Sequence, residues 1–326
     1  MLIPLQVFSG NMQEARSYLL DVELLVSRFG VNRSYKSRKV RMLHSNYLYL
    51  RVLEQSTNLQ IGQSEQADRQ TSSFGQLSSA STSYRRSSIW TDDLISDPQS
   101  SANSIQNTTS TCMLPNKASI ETFEHIYSVP ASLFKLISQT TEVAREMEQA
   151  RGYRGWPSTD IDIFGAEVKA LEHQICTWQN HHGCYDSDVT EQTPSYHLAE
   201  AVHAALMIYF YRRVRDLHPV AVQHWVKKTA EHLLALDRLK ARCGDRSANL
   251  CWPGFIAGCE STDRKTRAEL SDWLERSYKS TNIGMFKVAE SAMRSVWRSN
   301  TFPEAQAHCW YDALREASDS TPLVLS

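Results

Sequence analysis

Along most of this chain the apolar residues recur three and four positions apart, the spacing that gathers them on one face of an α-helix. Within residues 10–55, Ala15, Tyr18, Leu19, Val22, Leu25, Val26 and Phe29 keep that spacing, and Gly30 is a natural stop. Val40, Leu43, Tyr47 and Leu50 predict a second helix over residues 36–54. The period returns near Ile120 and persists to about Ala317. Pro130 opens a helix whose face is Leu133, Leu136, Ile137, Val143, Ala144 and Met147. Residues 161–179 align Phe164, Val168, Leu171, Ile175 and Trp178. A strongly apolar helix with Ala201, Ala204, Ala205 and Leu206 is expected over 195–216, stopped at Pro219. Further helices are expected over 221–240, 252–260, 264–279, 283–298 and 303–317. No segment alternates convincingly with period two, so the predicted fold is all-α, a set of stacked antiparallel helix pairs.

One stretch breaks the pattern. From about Ser56 to Thr111, Ser, Thr, Gln and Asn dominate and apolar residues stand alone. Such a segment buries too little surface to offset the entropy of ordering it, which predicts a long disordered insert. The expected organisation is therefore residues 1–55 as the first helices, 56–119 as the insert, 120–318 as the main helical domain and 319–326 as a tail. Inside the insert, Ser88 to Ile95 sets Ile89, Trp90, Leu94 and Ile95 beside Asp92 and Asp93. This island either docks as a short helix or stays passive. Arg85-Arg86-Ser87-Ser88 makes Ser88 a candidate phosphorylation site, whose added charge would release or dock the island.

The run Leu250-Cys251-Trp252-Pro253-Gly254-Phe255-Ile256-Ala257-Gly258-Cys259-Glu260 reads as helix-packing hardware. Pro253 suits a first helical turn, where its missing N–H costs nothing. Two glycines in one short helix carry a propensity cost of about 1 kcal/mol each, which implies a neighbouring backbone approaching the bare side.

Composition narrows the class. At 326 residues, 41% hydrophobic and 22% charged, the chain is long enough for a substantial core. A net charge of −1 gives no general attraction to nucleic acid or an anionic membrane. The most apolar run, Ala204 to Tyr211, is far short of the roughly 20 residues a spanning helix needs. Seven scattered cysteines point to a reducing compartment.

Candidate chemistry is thin. Cys176, His181, His182 and Cys184 could surround zinc, but their spacing matches no standard finger, and Cys176 beside Trp178 looks like core. Cys243, Cys251 and Cys259 read as small buried hydrophobes. Glu200 and His203 with His197 miss the zinc-protease spacing, and His203 on an Ala-rich helix reads as a core histidine with a satisfied hydrogen bond. No nucleophile elbow, phosphate loop or carboxylate pair is visible. No catalytic, cofactor or metal residue is therefore expected, and the chain is not read as an enzyme. Arg33, Lys36, Arg38, Lys39 and Arg41 form the densest basic run, either a nuclear-import patch or the solvated start of a helix.

The word order "WPGFIAGCES", then "DWLERSYKSTNIGMF" and "VW", resembles the regulatory domain of fungal transcription factors of the zinc binuclear cluster class. The blocks 36–57 and 251–297 are the most specific, and within that class they look closest to the arginine-metabolism regulators. The resemblance implies a helical regulatory domain, a nuclear role in transcription and protein partners, a second copy of the chain among them. Family members usually carry an N-terminal zinc cluster, and this chain has none, so DNA contact is expected only indirectly. The effector, if there is one, is not defined by any motif. A helical scaffold or small-molecule-binding protein outside transcription is the competing reading.

Overall fold

The apolar periods become helices. The computed structural model describes residues 9–29, 38–59, 124, 127–152, 158–180, 193–299, 309–316, 323 and 325. Among them lie α1 (Met12–Phe29), α2 (Arg38–Thr57), α3 (Ala131–Gly152), α4 (Ser158–Thr177) and α5 (Pro194–Arg213). A 3-10 turn (Pro219–Val222) leads into α6 (Gln223–Cys243), α7 (Cys251–Glu260), α8 (Arg264–Thr281), α9 (Gly284–Ser299) and α10 (Trp310–Glu316). No described residue is in a strand, so the fold is all-α. Helices adjacent in sequence pack together: α1 on α2, α3 on α4, α5 on α6 and α8 on α9.

Local signals set several ends. Pro194 sits in the first turn of α5 behind Thr193, whose side chain accepts from the Tyr196 N–H. Gly244 stops α6 at φ +66°, a conformation its missing Cβ makes cheap. Asp263 starts α8 by accepting from the Thr266 N–H and hydroxyl at 3.0 and 2.8 Å. Those bonds hold its carboxyl below the ordinary value.

A single core runs through the helices. Leu133, Leu136, Ile137 and Val143 of α3, Ala201, Ala205, Ile208 and Tyr209 of α5, and Val226, Leu233 and Leu236 of α6 all belong to it, and α5 packs on both α3 and α6. The faces expected for α3 and α4 are largely buried, whereas Leu25 of the expected α1 face and Leu43 of the expected α2 face are exposed. Large apolar side chains stay exposed on α1 (Leu20, Leu24, Leu25) and near the start of α2 (Met42, Leu43).

The structure shifts some expectations. The insert was expected to begin at Ser56, yet α2 runs to Thr57 and Ser56, Thr57 and Leu59 are buried. The reason is polar: the Ser56 hydroxyl donates to the Leu53 carbonyl and accepts from the Trp252 indole, and Thr57 donates to the Leu323 carbonyl. That last bond also corrects the tail, because Leu323 and Leu325 lie in the core instead of trailing from it. Cys251 and Cys259 are buried as expected, but Cys243 and Cys176 are exposed, since each lies on the outward side of its helix end.

Candidate functional site

The 250–260 block becomes α7, in which every one of the ten residues is buried. A helix that is apolar all round belongs inside a protein, and α7 is surrounded by α5, α6, α8 and α9. Its glycines do admit close neighbours, though side chains and not a backbone fill the space. A Cβ at Gly254 would run into the indole ring of Trp273, and one at Gly258 into the sulfur of Met293. The true backbone contact lies elsewhere. A Cβ on Gly284 would meet the Gly10 nitrogen at 2.6 Å, where Gly10 holds φ +83° and ties the start of α1 to the start of α9.

Two indoles fix the ends of α7. Trp252 donates to Ser56 at 2.9 Å, joining α7 to α2, and Trp297 of α9 donates to the Gly258 carbonyl at 2.8 Å. Trp252 also stands edge-on to Tyr209, and Phe255 edge-on to Trp310. Burial pushes the thiols of Cys251, Cys259 and Cys309 well up, so they are inert.

At its last residue α7 carries a charge into the core. Glu260 accepts from the Arg212 guanidinium of α5 at 2.7 Å and from the Trp310 backbone N–H at 3.1 Å, where α10 begins. Arg212 also donates to the Leu217 carbonyl. Burial pushes the Glu260 carboxyl up, and Arg212 pulls it back down. The next residue repeats the theme: Arg213 donates to Glu148 of α3 at 2.9 Å and lies 3.5 Å over the Tyr311 ring of α10. Neither arginine was singled out by sequence reasoning. The available signal was a pair of arginines ending an otherwise apolar helix, with one acid ending another.

The histidines of α5 are placed by their neighbours. The His203 Nε2 meets the Ile175 carbonyl at 2.9 Å beneath Trp178, the satisfied arrangement expected of it. Burial lowers its pKa. His197 faces His232 of α6, a partner the zinc-protease comparison could not reveal.

Ser88, the Trp90 island, His181, His182 and Cys184 lie outside the described residues, as do Arg33 and Lys36. Arg38, Lys39 and Arg41 fall in the first turn of α2. Among the described residues no group of three or more His, Cys, Asp or Glu side chains is placed to hold a metal ion. None of the described helices is long and apolar enough to cross a membrane.

An all-α chain organised around a buried Trp-Pro-Gly helix matches a known family model over residues 1–324, that of the fungal specific transcription factor domain. The chain belongs to that family, and so to a class of transcription regulators. One curated relative, arginine metabolism regulation protein II of Saccharomyces cerevisiae, is 23% identical over 203 residues. That alignment takes in 59% of this chain and 22% of the relative, so the chain spans about a fifth of the relative's length. No solved structure matches the chain.

Proposed function

We propose that this chain acts in the nucleus as the regulatory part of a transcription factor, through protein contacts or an effector, and not as an enzyme. The family match over residues 1–324 carries the reading. The relative's name concerns arginine metabolism, and genes of that class are the proposed targets. Contact with DNA is proposed to be indirect, because a net charge of −1 supplies no electrostatic footprint for a duplex. A homodimer is one arrangement in which partner contacts would be made. A fluorescently tagged copy of residues 1–326 in a fungal cell should concentrate in the nucleus. Even distribution through the cytoplasm, with or without arginine in the medium, would contradict the reading.

A further inference from the structure

We propose that the outer face of the α1–α2 hairpin is the surface on which a second copy of this chain docks, in an antiparallel two-fold arrangement. The surface gives the homodimer named above its place, and it rests on that reading for the choice of partner. Two ion pairs fix the direction of the hairpin. Arg16, early in α1, meets Glu54, late in α2, at 3.0 Å, and Glu23, late in α1, meets Arg51 at 2.6 Å. The helices therefore run antiparallel, and the start of α2 lies beside the end of α1.

At that end five large apolar side chains, Leu20, Leu24, Leu25, Met42 and Leu43, are between 40% and 67% exposed. A single exposed leucine is ordinary, whereas a cluster marks a contact surface. These residues are not spare core, because α1 supplies the core from another side through Met12, Ala15 and Leu19. The outer stripe Gln13, Ser17, Leu20, Leu24 is exposed throughout and turns from polar to apolar halfway along the helix.

Charge on either side of the cluster favours a second copy as its cover. In its first half α1 exposes Glu14 and Asp21, while Arg16 is taken up by Glu54. Beyond Glu23 the sign reverses: no Asp or Glu occurs before Glu54, and Arg28, Arg38, Lys39 and Arg41 belong to the helix ends that come together there. No acid stands in the first turn of α2, the reverse of what the positive end of a helix dipole favours. One face thus has an acidic end, an apolar middle and a basic end. Such a face is complementary to itself turned end for end, which is what an isologous two-fold contact requires. With the leucines of two copies meeting at the axis, the acidic half of each α1 lies against the basic start of the other copy's α2 and offsets its dipole.

Sedimentation of the purified full chain, over about 1 to 100 μM, measures the assembly directly. A dimer that dissociates on dilution is expected. Leu25→Ser together with Leu43→Ser should raise its dissociation constant about tenfold or more. Val220→Ser, at a side chain 64% exposed ahead of α6, is the control and should leave it unchanged. Glu14→Lys and Arg41→Glu should each weaken the dimer, and the two in one chain should restore it. Circular dichroism of every variant should match wild type, which separates loss of the contact from loss of fold. A wild-type monomer across the whole range, or a dimer indifferent to the leucine substitutions, overturns the surface. A charge exchange that fails to restore the dimer overturns its antiparallel arrangement. Neither result bears on nuclear location, which is read separately in cells.

Discussion

At Gly254 and Gly258 the missing side chains make room for two very different neighbours. Trp273 is a rigid ring buried on all sides, whereas Met293 is a flexible thioether that can turn aside. Gly258→Leu should destabilise the protein by about 1–3 kcal/mol, the usual cost of overpacking. Lys265→Ala, at a side chain 81% exposed, is the control and should leave the denaturation midpoint within about 0.5 kcal/mol of wild type. With alanine the order should separate the neighbours, Gly254→Ala costing more than Gly258→Ala, and Met293→Ala easing only the latter. Equal midpoints for Gly258→Leu and wild type in chemical denaturation would remove the close-packing account. The glycine spacing in the sequence revealed that something must approach α7. It could not reveal that an indole and a thioether do so, because residues 273 and 293 are distant in sequence and equally compatible with any core. The Gly10–Gly284 contact was invisible for the same reason: each glycine alone looks like an ordinary helix boundary.

The helices themselves were legible because burial imposes the period of 3.6, and α3, α5, α6 and α8 each bury residues on the expected face. Ends were less legible. α5 was expected to reach residue 216 but stops at Arg213, since Arg212 and Arg213 turn inward to Glu260 and Glu148 and the chain must leave the helix to supply the Leu217 carbonyl. These polar links decide how α10 docks. Removing one partner of a buried ion pair strands the other charge, so Arg212→Ala should cost about 3–5 kcal/mol. Replacing both partners, as in Arg212→Met with Glu260→Leu, should cost less than the single change, because no charge then remains in the core. Urea denaturation of the two variants measures this directly, and a double variant weaker than Arg212→Ala would show that the pair is stabilising beyond mere compensation. The Trp310 N–H loses its Glu260 acceptor in the double variant, so α10 should be the element whose amide protons exchange faster.

For the whole molecule, acid should act first through histidine. His203 and His232 both titrate below the ordinary value of 6.5 in the fold, His232 at about 4. The unfolded chain therefore takes up their protons first, so their stabilising contribution is present above about 6.5 and lost as pH falls toward 4. The unfolding midpoint should drop over that window, and His232→Asn should show a shallower drop than wild type. Function was legible at the level of class because the 251–297 block has a sequence specific enough to carry a resemblance. Nothing finer was legible, since no motif in the sequence marks an effector, a target gene or a partner surface. We propose above all that this chain regulates transcription through partners, without contacting DNA itself. The direct measurement is a reporter gene read in a fungal cell, with residues 1–326 either alone or fused to an unrelated DNA-binding module aimed at the promoter. The account predicts that the free chain leaves the reporter unchanged and the fused chain raises or lowers it several-fold, an effect that disappears when Gly254→Ala loosens α7. A fusion that is folded and nuclear yet leaves reporter output the same as the DNA-binding module alone would contradict it.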